Sequence, residues 1–267
     1  MNSKPSVSIL FSSCYQNLFL SEYFTSFLND NPEIIKLFDS AYASFPFSGD
    51  TPLDLENVSQ IFARKFPYIQ PIFMPDKGIN ESILYALKFI TTDYVFFCVD
   101  DRIISSLCLK QFNEAIKQAI SLNVNSLRLN NCGEHSLRSN ATIGPLLKVC
   151  KYRVSFTNTL FKVSFLRFIL SSGKTLWQLE ASLPDEFNLK HYAPSYRFLV
   201  NPIVSQIHLI RRRKIISLSL IGSKIILENK LPRASLLFCL YQHAHSIIYP
   251  GLSTFFALCC IFCRKAS

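Results

Sequence analysis

The chain has 267 residues, 49% hydrophobic and 17% charged, with a formal net charge of +10. This suits one large α/β domain, or one domain with a small appendage, and excludes a disordered or collagen-like chain. No period of roughly 20–50 residues recurs, which excludes a solenoid, and the positive charge calls for an anionic partner.

Residues 7–12 (VSILFS) form a short apolar run bounded by polar residues, the pattern of a buried strand. In 17–28, Leu20, Tyr23, Phe24, Phe27 and Leu28 recur at helical spacing. Residues 34–38 read as a second strand ending at Asp39-Ser40. Thr51-Pro52-Leu53-Asp54 then has the form of a helix start, with Thr51 as N-cap and Pro52 first in the helix. Residues 69–74 are a third strand candidate, with Pro71 marking an edge or a bulge. A helix over 80–90 follows, built on Ile83, Leu84, Leu87 and Ile90.

The clearest central strand is 94–99 (YVFFCV), which stops at Asp100-Asp101. Leu109, Phe112, Ile116, Ala119 and Ile120 mark an amphipathic helix within 106–122. Beyond it, 153–156 and 204–210 read as strands and 163–170 as a helix. Strands alternating with helices argue for a mainly parallel sheet covered on both faces, with ligands beyond the carboxyl ends of the strands. On that reading Ser12-Ser13, Asp39-Ser40 and Asp100-Asp101 share one rim.

Adjacent carboxylates at the end of an apolar strand repel each other and resist desolvation. A divalent cation removes both difficulties, and Mg²⁺ or Mn²⁺ prefers carboxylate oxygens. From these residues alone, a solvated turn with an Asp101–Arg102 surface pair stays open. The run Arg211-Arg212-Arg213-Lys214 is the densest charge in the chain. It suits a solvated loop, a diphosphate contact or anionic lipid. Nucleic acid ranks last, because isoleucines rather than stacking aromatics flank the cluster.

The stretch 234–267 is expected to be a separate apolar helical tail behind a domain over 1–233. Pro250-Gly251 leaves about twelve uninterrupted apolar residues, short of the roughly 20 that span a bilayer, so the tail reads as a buried helix or a membrane-surface anchor. His243, His245, Cys260 and Cys263 have zinc-ligand types, but apolar flanks argue against a zinc site. His191 and His208 read as ordinary structural residues. The nine cysteines are scattered and follow no signal-like leader, so they read as reduced thiols of a cytoplasmic protein.

DKGINESILYALKFITTDYVFFCVDD (76–101) resembles the glycosyltransferases of family-2 type, in which a loop with Gly and Asn opens a helix that leads into a strand ending in an acidic metal motif. VNSLRLNN (124–131) looks like the next strand of one bacterial branch of that superfamily. YRVSFTNTLFKVSFLRFILSSGKTLWQLE (152–180) is similar to that branch's pattern ending in Trp-x-x-Glu. The likeness spans residues 7 to about 180. Val99 and Gln178 stand where the pattern often has acids.

The resemblance implies a GT-A fold, Rossmann-like, with a mixed, mainly parallel sheet, helices on both faces and a C-terminal helical appendage. It implies transfer of a sugar, with inversion, from a nucleotide diphosphate sugar to a glycan or lipid-linked acceptor. On this mapping Asp100 and Asp101 hold Mg²⁺ or Mn²⁺ and the donor diphosphate. Ser12, Asp39, Arg211 and Arg213 contact the donor, Glu180 is the general base and Trp177 is part of the acceptor wall. The expected location is the cytoplasm, peripheral on the cytosolic face of a membrane. The rival expectation is a catalytically inactive, membrane-associated binding protein that keeps the fold.

Overall fold

The computed structural model describes residues 6–15, 18, 21, 25, 27–28, 31–48, 54–129, 141–146, 153–181, 190–195, 203–208, 210–211 and 214–215. In chain order the elements are β1 (Val7–Ser12), α1 (Pro32–Ile35), β2 (Ser40–Phe47), α2 (Leu55–Lys65), β3 (Gln70–Pro75), α3 (Ile79–Leu87), β4 (Tyr94–Val99), β5 (Arg102–Leu107), α4 (Leu109–Ser121) and β6 (Ser126–Arg128). They continue with β7 (Ile143–Pro145), β8 (Thr159–Lys162), α5 (Val163–Leu170), α6 (Leu176–Ala181), β9 (His191–Pro194), β10 (Val204–His208), β11 (Ile210–Arg211) and β12 (Lys214–Ile215). The chain divides into two units, Met1–Ile207 and His208–Ser267. In the second, β11 and β12 pair antiparallel, with Arg211 opposite Lys214.

The first unit is built on an eight-stranded sheet of order β3-β2-β1-β4-β8-β6-β9-β7. Its first four strands are mutually parallel, β8 runs antiparallel between β4 and β6, and β9 lies parallel to β6. The expected mixed sheet is therefore present, and its helices cover both faces. Side chains alternate along a strand, so β4 sends Val95 and Phe97 to one face and Phe96 to the other. Val95 and Phe97 share a core with Leu10, with Ile83, Ala86 and Leu87 of α3, and with Leu166 and Ile169 of α5. Phe96 meets Phe112 of α4 edge-on at 5.3 Å and stacks on Phe38 at 6.1 Å. On β2, Phe45 meets Phe62 of α2 at 5.3 Å. The many phenylalanines thus build interlocking aromatic pairs on both sides of the sheet.

Several local expectations change. Residues 34–38 are not a strand. Pro32 stands at the first position of α1, where its fixed φ suits a helix, and the extended chain begins only at Ser40. The helix expected from Thr51 is capped instead by Asp54, whose Oδ1 accepts the Asn57 N–H at 3.0 Å. Residues 153–156 are not a strand either. Asn158 adopts φ +46°, a left-handed turn that an extended run cannot cross, and the strand starts at Thr159. Ahead of α4, residues 102–107 form β5, which pairs with β10. The expected helix over 17–28 falls largely outside the described residues, as do Thr51 and the whole tail over 234–267. Among the described residues no helix is long and apolar enough to cross a membrane.

Polar groups at the amino ends of the strands are satisfied internally. Ser8 Oγ lies 2.7 Å from Ser40 Oγ and 2.8 Å from Thr92 Oγ1. Farther along the sheet, Ser126 Oγ lies 2.6 Å from Nδ1 of His191, its register partner on β9. Burial first, and the charge of Arg153 second, push the His191 imidazole down to about 4. The unfolded chain takes up this proton near pH 6.5 whereas the folded chain resists it to about pH 4, so stability rises with pH across that window. The span corresponds to at most about 3 kcal/mol. Urea unfolding at pH 4.5, 5.5 and 6.5 is expected to show a flatter pH slope in His191→Gln than in the parent chain. Identical slopes would show that His191 is not held neutral by the fold.

Candidate functional site

Parallel pairing of β1, β2 and β4 brings their carboxyl ends to one rim, and Asp100-Asp101 forms the turn there between β4 and β5. Asp100 is tied once to the last residue of β1 and once to the residue after it. Its N–H donates to the Ser12 carbonyl at 3.2 Å, and its Oδ2 accepts the Ser13 hydroxyl at 2.7 Å. Ser13 is itself tied to β2 through its N–H and the Ser44 carbonyl, 3.1 Å apart. The backbone of the strand ends therefore fixes the first carboxylate.

Asp101 has a different environment. Burial is the main force on its carboxyl group and pushes it up to about 6. The Arg102 guanidinium pulls the other way, while the charges of Asp100 and Glu180 push it further up. The electrostatic influence of Glu180 matters, because Asp101 and Glu180 are 79 positions apart in sequence (180 − 101). The fold brings the two together.

Glu180 reaches the rim from α6. Its Oε1 accepts the Phe156 N–H at 2.9 Å, so the turn before β8 holds it in place. Burial raises its carboxyl group above the ordinary value, and the Phe156 N–H, Arg102 and Arg128 each pull it back. Arg128 ends β6 and is only 2% exposed. Because β8 is antiparallel to both β4 and β6, the turn leading into it lies at the carboxyl ends of those two strands. The same turn is braced from two sides. The Leu129 N–H donates to the Asn158 carbonyl at 3.2 Å, and Asn158 Nδ2 donates to Gln206 Oε1 at 2.8 Å. Trp177 lies one helical turn before Glu180 and is 78% exposed.

Four of the expected site residues thus belong to this region: Ser12, Asp100, Asp101 and Glu180. Trp177 is carried by the same short helix as Glu180. Asp39 does not belong there. The second strand begins after it rather than ending at it, so Asp39 stands at the amino end of β2, on the opposite rim. Its Oδ2 accepts the Val7 N–H at 2.8 Å, and its own N–H donates to the Val7 carbonyl at 2.8 Å. It closes the start of the β1–β2 pair. Arg211 lies in the second unit, and Arg213 lies outside the described residues. Sequence reasoning missed the roles of Ser13 and Arg128. For Arg128 a signal existed, namely an arginine closing a strand that pairs inside the sheet.

The residues present fit one kind of metal ion. Among the described residues no group of three or more His, Cys, Asp or Glu side chains could hold a metal by itself. Two adjacent carboxylates, one fixed and one burdened by burial, suit a hard cation that takes its remaining oxygens from water and a diphosphate ligand. The histidines and cysteines of the zinc reading lie outside the described residues.

Ionised Asp101 costs the fold stability. This cost is absent below about pH 3.8, grows as pH rises, and is present in full above about pH 6. Asp101→Asn is therefore expected to raise the unfolding free energy by about 1–2 kcal/mol at pH 7, and by much less at pH 4. Urea denaturation at the two pH values checks this, and an unchanged or lower stability at pH 7 would contradict the burial argument.

No family model and no curated protein sequence matches the chain. Among solved structures, S. aureus TarS 1-349 is similar at 13% identity and a TM-score of 0.43, covering 71% of this chain and 60% of that one. The chain thus spans 60% of that fragment's length. The mannosyltransferase PcManGT from Pyrobaculum calidifontis, in complex with GDP-Man and Mn²⁺, is similar at 13% identity and a TM-score of 0.46, covering 96% and 69%. A 4-diphosphocytidyl-2C-methyl-D-erythritol synthase is similar at 11% identity and 0.47, covering 85% and 99%.

Proposed function

We propose that the chain is an inverting, metal-dependent glycosyltransferase that moves a sugar from a nucleotide diphosphate sugar to a glycan or lipid-linked acceptor. The observation that carries this reading is the meeting of Asp100, Asp101 and Glu180 at the carboxyl ends of parallel strands, supported by the sequence resemblance over residues 76–101 and 152–180.

Each residue has a task. Asp100 and Asp101 are the residues that would hold Mg²⁺ or Mn²⁺, with the Ser12 end of β1 beside them. A divalent cation held there would supply positive charge for the departing diphosphate. Glu180 takes the proton of the acceptor hydroxyl as its oxygen attacks the anomeric carbon and the bond from that carbon to the diphosphate oxygen breaks. Glu180's partial burial supports this task, because a desolvated carboxylate is a stronger base than one in water. Trp177 offers an exposed indole face to the C–H surface of an acceptor sugar.

Calorimetric titration with UDP and GDP, with and without Mn²⁺, tests the donor reading. The expected result is Mn²⁺-dependent binding of one nucleotide that weakens at least about tenfold in Asp100→Ala and in Asp101→Ala. Absence of binding to these and to CDP, dTDP and CMP would favour a catalytically inactive protein that keeps the fold.

The assignment of 1–233 as the transferase and 234–267 as an anchor on the cytosolic face of a membrane belongs to the same reading. It rests on 30 consecutive residues, 234–263, without Asp, Glu, Lys or Arg, flanked by Arg233 and Arg264. The chain is expected to co-sediment with vesicles containing anionic phospholipid and to lose most of that binding when 234–267 is deleted. Equal sedimentation of the full and shortened chains would contradict the anchor.

A further inference from the structure

The Asp100 carboxylate of the strand-end turn accepts a short hydrogen bond from the Ser13 hydroxyl. That hydroxyl has one proton and two acceptors within reach, Asp100 Oδ2 at 2.7 Å and the Cys14 carbonyl at 3.4 Å. An ionised carboxylate cannot donate, so the short contact must use the serine proton, and the contact to Cys14 is too long to compete. The serine backbone is itself tied to a neighbouring strand. Its N–H is bonded to the Ser44 carbonyl of β2, and the residue before it receives the Asp100 N–H. Backbone and side chain of Asp100 are therefore held from two successive positions, Ser12 at the end of β1 and Ser13 just after it.

We propose that Ser13 is a positioning residue that fixes the rotation of the Asp100 carboxylate, so that a divalent cation and a nucleotide diphosphate meet an already ordered ligand. This rests on the donor-site reading of Asp100 and Asp101. The physical argument is the cost of ordering. A carboxylate at a strand end turns about its Cβ–Cγ bond, and a cation must stop that rotation unless a hydrogen bond has done so beforehand. Removing such outer partners of a ligating group costs roughly 10–100-fold in metal affinity.

The test is the ratio of UDP affinity with Mn²⁺ to UDP affinity without it, by calorimetry on the full chain, repeated with GDP. Ser13→Ala is expected to lower this ratio by about tenfold while metal-free nucleotide affinity and thermal midpoint stay at the parent values. Ser13→Thr keeps the hydroxyl and is expected to restore the ratio to within about threefold of the parent. Ser13→Cys keeps the shape with a weaker donor, and is expected to fall with Ser13→Ala. This variant decides the matter if the alanine chain does not fold. A parent-like ratio in Ser13→Ala or Ser13→Cys overturns the proposal and leaves the metal reading standing. Loss of metal-free binding along with the ratio makes Ser13 a structural residue and also overturns it. A parent chain whose nucleotide binding is indifferent to Mn²⁺ overturns the proposal together with the metal reading.

Discussion

The structure depends on one arrangement: a fully apolar central strand that delivers two carboxylates to the rim of the sheet. Along β4 the first five residues are buried, and the neighbouring strands on both sides hold it in register. Nothing in that strand can shift to relieve the charges at its end. Asp100 is accommodated by bonds to β1, and Asp101 carries the cost of burial. A fold selected only for stability would place a neutral residue at 101. Keeping an acid there makes sense if something positive visits the site, which ties the stability argument to the ligand argument.

The reversed strand β8 explains how a distant residue enters the same region. An all-parallel sheet would carry the connection before β8 to the opposite edge. Because β8 runs antiparallel, residues 156–158 reach the carboxyl ends of β4 and β6 instead. From there the Phe156 N–H captures Glu180, and the guanidinium groups of Arg102 and Arg128 temper the charge that collects. Opposite charges of this kind lower the cost of placing carboxylates close together without removing their reactivity.

Much of this was legible in the sequence, and the failures have physical causes. The 94–99 strand and the 163–170 helix fall where the sequence places them, since an uninterrupted apolar run before Asp-Asp and a dense amphipathic stretch each admit one assignment. Asp39 was misread because IIKLF serves equally as a strand or a helical turn. Pro32 settles that choice locally, and the consequence is large: moving the strand forward transfers Asp39 to the other rim. Strand β5 was hidden because its pairing partner, β10, lies about a hundred residues away in sequence. The Asp101–Glu180 proximity was implied only through resemblance to a family. Periodicity in a single sequence does not encode which loops converge in space.

The two rims also show why residue type alone did not identify the site. Asp39 and Asp100 are both aspartates at strand ends, and each accepts a hydrogen bond, Asp39 from Val7 of β1 and Asp100 from Ser13 just after it. Asp39 takes a backbone N–H and returns its own, so it extends the ladder by one reciprocal pair. Nearby, Ser8, Ser40 and Thr92 satisfy one another without involving a charge. Asp100 accepts from a side-chain hydroxyl and stands next to a second acid that is raised by burial. One rim spends its polar groups on itself, whereas the other gathers like charges that the protein only partly offsets. The second pattern, not the presence of acids, is the one on which the proposed donor site rests.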